Sequence, residues 1–122
     1  MMLEPLVNEF ARYRVIAEKA LAQVPDDALN LIPAADSNSM AMLVRHLSGN
    51  LVSRFTDFLT SDGEKPWRNR DAEFEERPYS RSEVDRMWQR GWGVLEQTLS
   101  ELSDADLPSP VRIRRPLNNR AF

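Results

Sequence analysis

An all-α fold, an up-down helical bundle, is predicted by three features of the sequence. Apolar residues return every third or fourth position along three long stretches, N-capping residues and prolines bound those stretches, and turn-forming residues fill the gaps between them.

The first stretch runs from Leu3 through Leu6, Val7, Phe10, Tyr13, Ala17, Ala20 and Leu21 to Val24, one face of a long amphipathic helix that Pro25 ends. Asp26 and Asp27, ahead of Ala28, Leu29 and Leu31, read as a short capped turn leading to Pro33. Asp36, Ser37 and Ser39 then offer N-cap oxygens to a second helix. Its stripe is Met40, Leu43, Val44, Leu47, Leu51, Phe55, Phe58 and Leu59, about five turns at roughly 3.6 residues each. Gly49 inside it weakens the helix by roughly 1 kcal/mol relative to Ala and so marks a close approach by a neighbour.

Asp62 and Gly63 break the pattern, and a highly charged segment up to Tyr79 follows, punctuated by Pro66 and Pro78. Trp67 and Phe74 are expected to anchor it as an ordered loop. Ser80 with Glu83 forms a capping box. The third helix carries Val84, Met87, Gly91, Val94, Leu95, Thr98, Leu99 and Leu102. A turn over 103–108 leads to Val111, Arg112, Ile113 and Arg114, which alternate like a short strand or extended arm. Three such helices joined by short or ordered connections predict antiparallel packing at roughly 20°.

A chain of 122 residues fits one domain and buries roughly two-thirds of its unfolded surface. A net charge of -3 supplies no basic field for nucleic acid or anionic lipid, and no run approaches the roughly 20 apolar residues of a membrane span. Four arginines near the end, Arg112, Arg114, Arg115 and Arg120, read as a solvated tail rather than a nucleic-acid arm. No cysteine and no signal-peptide pattern point to the cytoplasm.

The single histidine, His46, shares a predicted helical face with Met42, Asn50, Ser53 and Asp57. Zinc takes four ligands, three of them from protein at a catalytic site, and His46 with Asp57 supplies at most two from one helix. Ser48 and Ser53 stand at no spacing that specifies a nucleophile and its base. Trp67, Arg68, Asn69, Arg70 and Asp71 form the most distinctive cluster: a flat aromatic beside two guanidinium forks suits a carboxylate or phosphate. The plainer account, and the favoured one, has Trp67 and Phe74 pinning the loop while Arg68 and Arg70 pair with Asp62, Asp71 or Glu73. Trp88 and Trp92, one turn apart, belong to a core or an interface rather than a cofactor cage.

The run from Ser37 to Asp57, SNSMAMLVRHLSGNLVSRFTD, continuing through SDGEKPWRNRDAEF from Ser61 to Phe74, resembles the DinB-like (YfiT-like) superfamily of four-helix bundles, in a bacterial branch of unassigned function. Trp88, Arg90, Gly91 and Trp92 on the third helix add to the likeness, as does the Asp-Leu-Pro turn before 111–114, so the resemblance covers residues 1–114 and leaves 115–122 as an unmatched tail. It implies that His46 is the first of three histidines holding zinc or nickel, the other two coming from a His-x-x-x-His motif on a fourth helix. Neither has a counterpart here. Truncation, a frameshift or a degenerate copy would each leave the bundle with three helices.

The resemblance therefore implies a metal-dependent protein acting on a small molecule by thiol-linked transfer or hydrolysis, impaired by the missing helix. Any divalent metal at His46 would need ligands from another chain. Asn50, Asp57, Trp67, Arg68 and Arg70 are the candidate binding residues. The alternative is a non-catalytic interaction module, because a bundle lacking one helix exposes an apolar groove that favours a homodimer.

Overall fold

The computed structural model describes residues 3–106, which are helical throughout apart from turns and loops. The predicted arm over 111–114, the arginine tail, the boundary after 114 and any fourth helix lie outside the described residues.

Helix α1 spans Leu3–Gln23, α2 Met40–Phe55 and α3 Arg81–Glu101. Short 3₁₀ turns lie at Asp26–Ala28, Asp71–Phe74 and Asp104–Asp106. The expected caps form: Ser39 Oγ accepts from Met42 N at 3.1 Å, and Ser80 and Glu83 close a complete capping box. Among the described residues no helix is long and apolar enough to cross a membrane.

The core gathers Leu21 from α1, Leu29, then Ala41, Val44 and Leu51 from α2, and Tyr79, Val84, Trp88, Trp92 and Leu95 around α3. Both tryptophans lie in this core, their rings 5.6 Å apart, as their spacing predicted. Leu6, Val7 and Tyr13 on α1, and Leu43 and Leu47 on α2, remain exposed although they belong to the predicted apolar stripes, as does Ile16 beside them.

Helix direction departs from simple alternation. Leu3 N donates to Asp104 Oδ1 at 2.9 Å, and Arg81 donates to the carbonyls of Leu21 and Val24, so α1 runs antiparallel to α3. Thr98 Oγ1 donates to Phe55 O at 2.6 Å near the C-terminal ends of both helices, while Arg45 Nη1 reaches Tyr79 Oη at 2.7 Å near both starts. Helices α2 and α3 are therefore parallel. A parallel pair needs a connection that travels back along the helix, and α2 with its 16 residues is about 24 Å long. This explains the length of the 56–80 segment: it is a crossover strap lying along α2.

The second helix is shorter than its stripe predicts. It stops at Phe55, before Phe58 and Leu59, because Thr56 Oγ1 donates back to Val52 O at 2.6 Å and Asp57 takes a left-handed conformation with φ 49°. An Asp tolerates that conformation better than most residues with a Cβ.

The strap is held by buried charge. Arg54 Nη2 donates to Glu64 Oε1 at 2.7 Å, Ser53 Oγ to Gly63 O at 2.6 Å, and Lys65 Nζ to the carbonyls of Ser53 and Asp62. Ser53 O belongs to the last turn of α2, where carbonyls lack helical partners and a cation is favoured. Of the two expected aromatic anchors, Phe74 packs half-buried against the His46 ring of α2, with centroids 4.7 Å apart, whereas Trp67 is 57% exposed and does not pin the loop.

Burial lowers the Lys65 pKa below 10.5, against the opposing pull of Asp57 and Asp62. The unfolded chain then binds the proton more tightly than the folded one, so this group adds stability as pH rises from the folded pKa towards 10.5. Lys65→Met is expected to cost about 1–3 kcal/mol at neutral pH by leaving two carbonyls without their donor. In urea titrations, the gap between wild type and variant should widen as pH rises towards 10.5. A gap that stays constant over that rise would disprove the linkage.

Candidate functional site

Halfway along the strap, Arg68 and Glu73 sit over α2. Arg68 Nε donates to Glu73 Oε2 and Arg68 Nη2 to Glu73 Oε1, both at 2.9 Å, a bidentate pair whose side chains are 3% and 7% exposed. This places Arg68 with Glu73, one of its three expected partners, and Arg70 lies 3.7 Å from Glu64 Oε1. Gly49 makes the arrangement fit. A Cβ there would lie 2.1 Å from Glu73 Oε2, so the close neighbour predicted from this glycine is the strap itself.

His46 Nδ1 lies 3.1 Å from Glu73 Oε1. A carboxylate ionised beside a guanidinium only accepts hydrogen bonds, so Nδ1 carries the hydrogen and Nε2 is the ring nitrogen left for another partner. The same second-partner geometry orients histidines that bind metals.

Within one chain, however, the described donors around His46 do not gather a ligand set. Among the described residues no three His, Cys, Asp or Glu side chains come close enough to share an ion. Both oxygens of Glu73 are occupied by Arg68, and one of them also faces His46. Asp57 lies past the end of α2, exposed, with its carbonyl accepting from Thr60 N and Ser61 N. The predicted face uniting His46 and Asp57 is therefore broken by the early helix end. Asn50 stays on α2, half-buried.

Between α2, α3 and the strap lies a cavity of about 370 Å³, lined by Arg45, Ser48, Gly49, Val52, Trp67, Arg68, Asn69, Glu73, Met87 and Arg90. Small-molecule sites usually enclose roughly 300–1,000 Å³. Two of its side-chain atoms, Ser48 Oγ and Arg68 Nη1, are buried and have no hydrogen-bond partner. A hollow of about 620 Å³ between the Phe55–Thr60 turn and α3 is larger, but none of the residues lining it holds such an atom. Of the predicted binding residues, the cavity unites Trp67 and Arg68 and leaves out Asn50, Asp57 and Arg70. Sequence reasoning missed Ser48, Met87 and Arg90 as its neighbours, because the parallel pairing of α2 and α3 brings them together.

Residues 1–118 match the profile of a family described as protein of unknown function, DUF1572. The chain belongs to that family. No curated protein and no solved structure matches it. All the described residues of this DUF1572 chain, and so the whole cavity, lie within the matched span.

Proposed function

We propose that this DUF1572 protein is a small-molecule-binding helical bundle of the DinB-like type, with its ligand seated between α2, α3 and the crossover strap. The carrying observation is the strap: buried charged side chains hold it over a glycine in mid-helix, and it walls a cavity of ligand size. Burying an ion pair is weak evidence for stability, since well-packed apolar side chains of equal volume often serve as well or better. A polar strap therefore speaks for recognition more than for folding. His46, oriented through Nδ1, supports the DinB-like reading, but a metal there would require ligands from a second chain, and no catalytic step is assigned to it.

The test is a thermal-shift screen of the full chain against a small-molecule library, with Val52→Phe, which fills the cavity, as the comparison. A ligand at about 100 times its Kd stabilises the fold by about 2.7 kcal/mol, close to 10 °C for a chain of this size. Compounds should raise the midpoint of the wild type and lose that effect in the folded variant. If every hit stabilises both proteins equally, the cavity is not the site. A mass in solution above the 14.1 kDa of one chain, in a protein that no compound stabilises, would favour the interaction-module reading through Leu6, Tyr13, Ile16, Leu43 and Leu47.

A further inference from the structure

We infer that the cavity binds the oxyanion of a small carboxylate or phosphate monoester carried on a flat apolar body. This rests on the cavity being the functional site.

Charge gives the first argument. Arg45, Arg68 and Arg90 line the cavity against a single carboxylate, Glu73, which Arg68 and the Nδ1–H of His46 already engage. An excess of positive charge in a partly enclosed space repels cations and attracts anions.

Hydrogen bonding gives the second. Arg68 uses Nε and Nη2 on Glu73, while Nη1, on a side chain only 3% exposed, has no acceptor. Ser48 Oγ, on the adjoining turn of α2, is equally closed off. A buried donor without a partner is unfavourable, and one oxyanion with several lone pairs satisfies a guanidinium N–H and a hydroxyl together. A neutral ligand satisfies them less well, and an ammonium offers no acceptor at all. Both atoms are shielded from solvent, so an anion entering the cavity must displace part of its wall to reach them.

Shape gives the third. Val52 and Met87 supply an apolar wall, and Trp67, largely exposed beside them, offers a flat face to stack on the rest of the ligand. Arg90 is exposed on α3, where its guanidinium meets a charged group entering from solvent.

The experiment titrates phenyl phosphate, phenylacetate, benzylamine and benzyl alcohol into the full chain, following the Trp67 indole N–H by NMR. At least one of the two anions should shift that resonance, while the amine and the alcohol should not. Arg90→Gln and Ser48→Ala, which leave the Arg68–Glu73 pair intact, should each weaken anion binding by about tenfold, the effect of losing a hydrogen bond to a charged group. Phenyl phosphate alone binding assigns the site to phosphate monoesters, and phenylacetate binding as tightly extends it to carboxylates. Benzyl alcohol binding as well as the anions, or both variants binding like wild type, would overturn the anion assignment while leaving the cavity a binding site. Silence from all four probes would also overturn it, and the library screen would then decide separately whether the cavity binds anything.

Discussion

Glu73→Ala should lower the stability of the folded chain by about 3–5 kcal/mol, because it strands the Arg68 guanidinium, 3% exposed, with no counter-charge. That is a large share of the roughly 5–15 kcal/mol that holds a domain together, so the variant should unfold at markedly lower urea concentration. Gly49 sharpens the test. Gly49→Ala in the wild type puts a Cβ 2.1 Å from Glu73 Oε2 and should cost about 1–3 kcal/mol by displacing the strap. In the Glu73→Ala background that obstacle is gone, and the higher helix propensity of alanine should make the same change favourable by up to about 1 kcal/mol. The sign reversal gives a coupling of about 2 kcal/mol or more in a double-mutant cycle. Additive effects would show that the strap does not rest on Gly49.

Much of the bundle was legible in the chain because its signals are local. The stripes of α1 and α3, the Ser39 cap and the Ser80–Glu83 box depend on residues three or four positions apart, and each formed where it was expected. Even Gly49 told of a neighbour, through the penalty a mid-helix glycine imposes, though not which one. What could not be read is non-local. Phe58 and Leu59 extend the α2 stripe in sequence, but Asp57 turns the chain before they can join the helix.

The strap inverted the usual rule of reading. Aromatic residues in a charged loop look like its anchors, yet Trp67 is exposed while Glu64, Lys65 and Glu73 are buried. A charge is buried only with partners; Arg68, expected beside Glu73, comes from the strap itself, but Arg54 for Glu64, the last-turn carbonyl of Ser53 for Lys65 and His46 for Glu73 come from α2. The likeness to DinB-like bundles drew attention to His46 as a metal ligand. In the fold its Nδ1 faces a carboxylate that Arg68 also engages, and the most distinctive cluster of the loop divides, with Trp67, Arg68 and Asn69 on the cavity and Arg70 beside Glu64.

Gly91 and Gly93, two positions apart on α3, should respond to alanine with opposite signs. A Cβ on Gly91 would stand 2.9 Å from Ser48 Cα and 3.3 Å from Ser48 O, and backbone atoms in a helix cannot step aside as a side-chain tip can. Helices α2 and α3 must therefore separate, which costs about 1–3 kcal/mol for alanine and about 3 kcal/mol or more for the bulkier Gly91→Val, beyond any gain in helix propensity. A Cβ on Gly93 meets nothing within 4 Å, so Gly93→Ala should stabilise the fold by up to about 1 kcal/mol, near 4 °C in the unfolding midpoint. Equal shifts for the two alanine variants would rule out the close crossing. The crossing also reaches the cavity, because the residue that Gly91 touches, Ser48, is one of those lining it. Pushing the helices apart carries Met87 and Arg90 on α3 away from Ser48 and Arg68, which stay together on α2 and its strap, and so opens the proposed anion site. Gly91→Ala should thus weaken phenyl phosphate binding while Gly93→Ala leaves it unchanged, which links this close helix crossing to the proposed site.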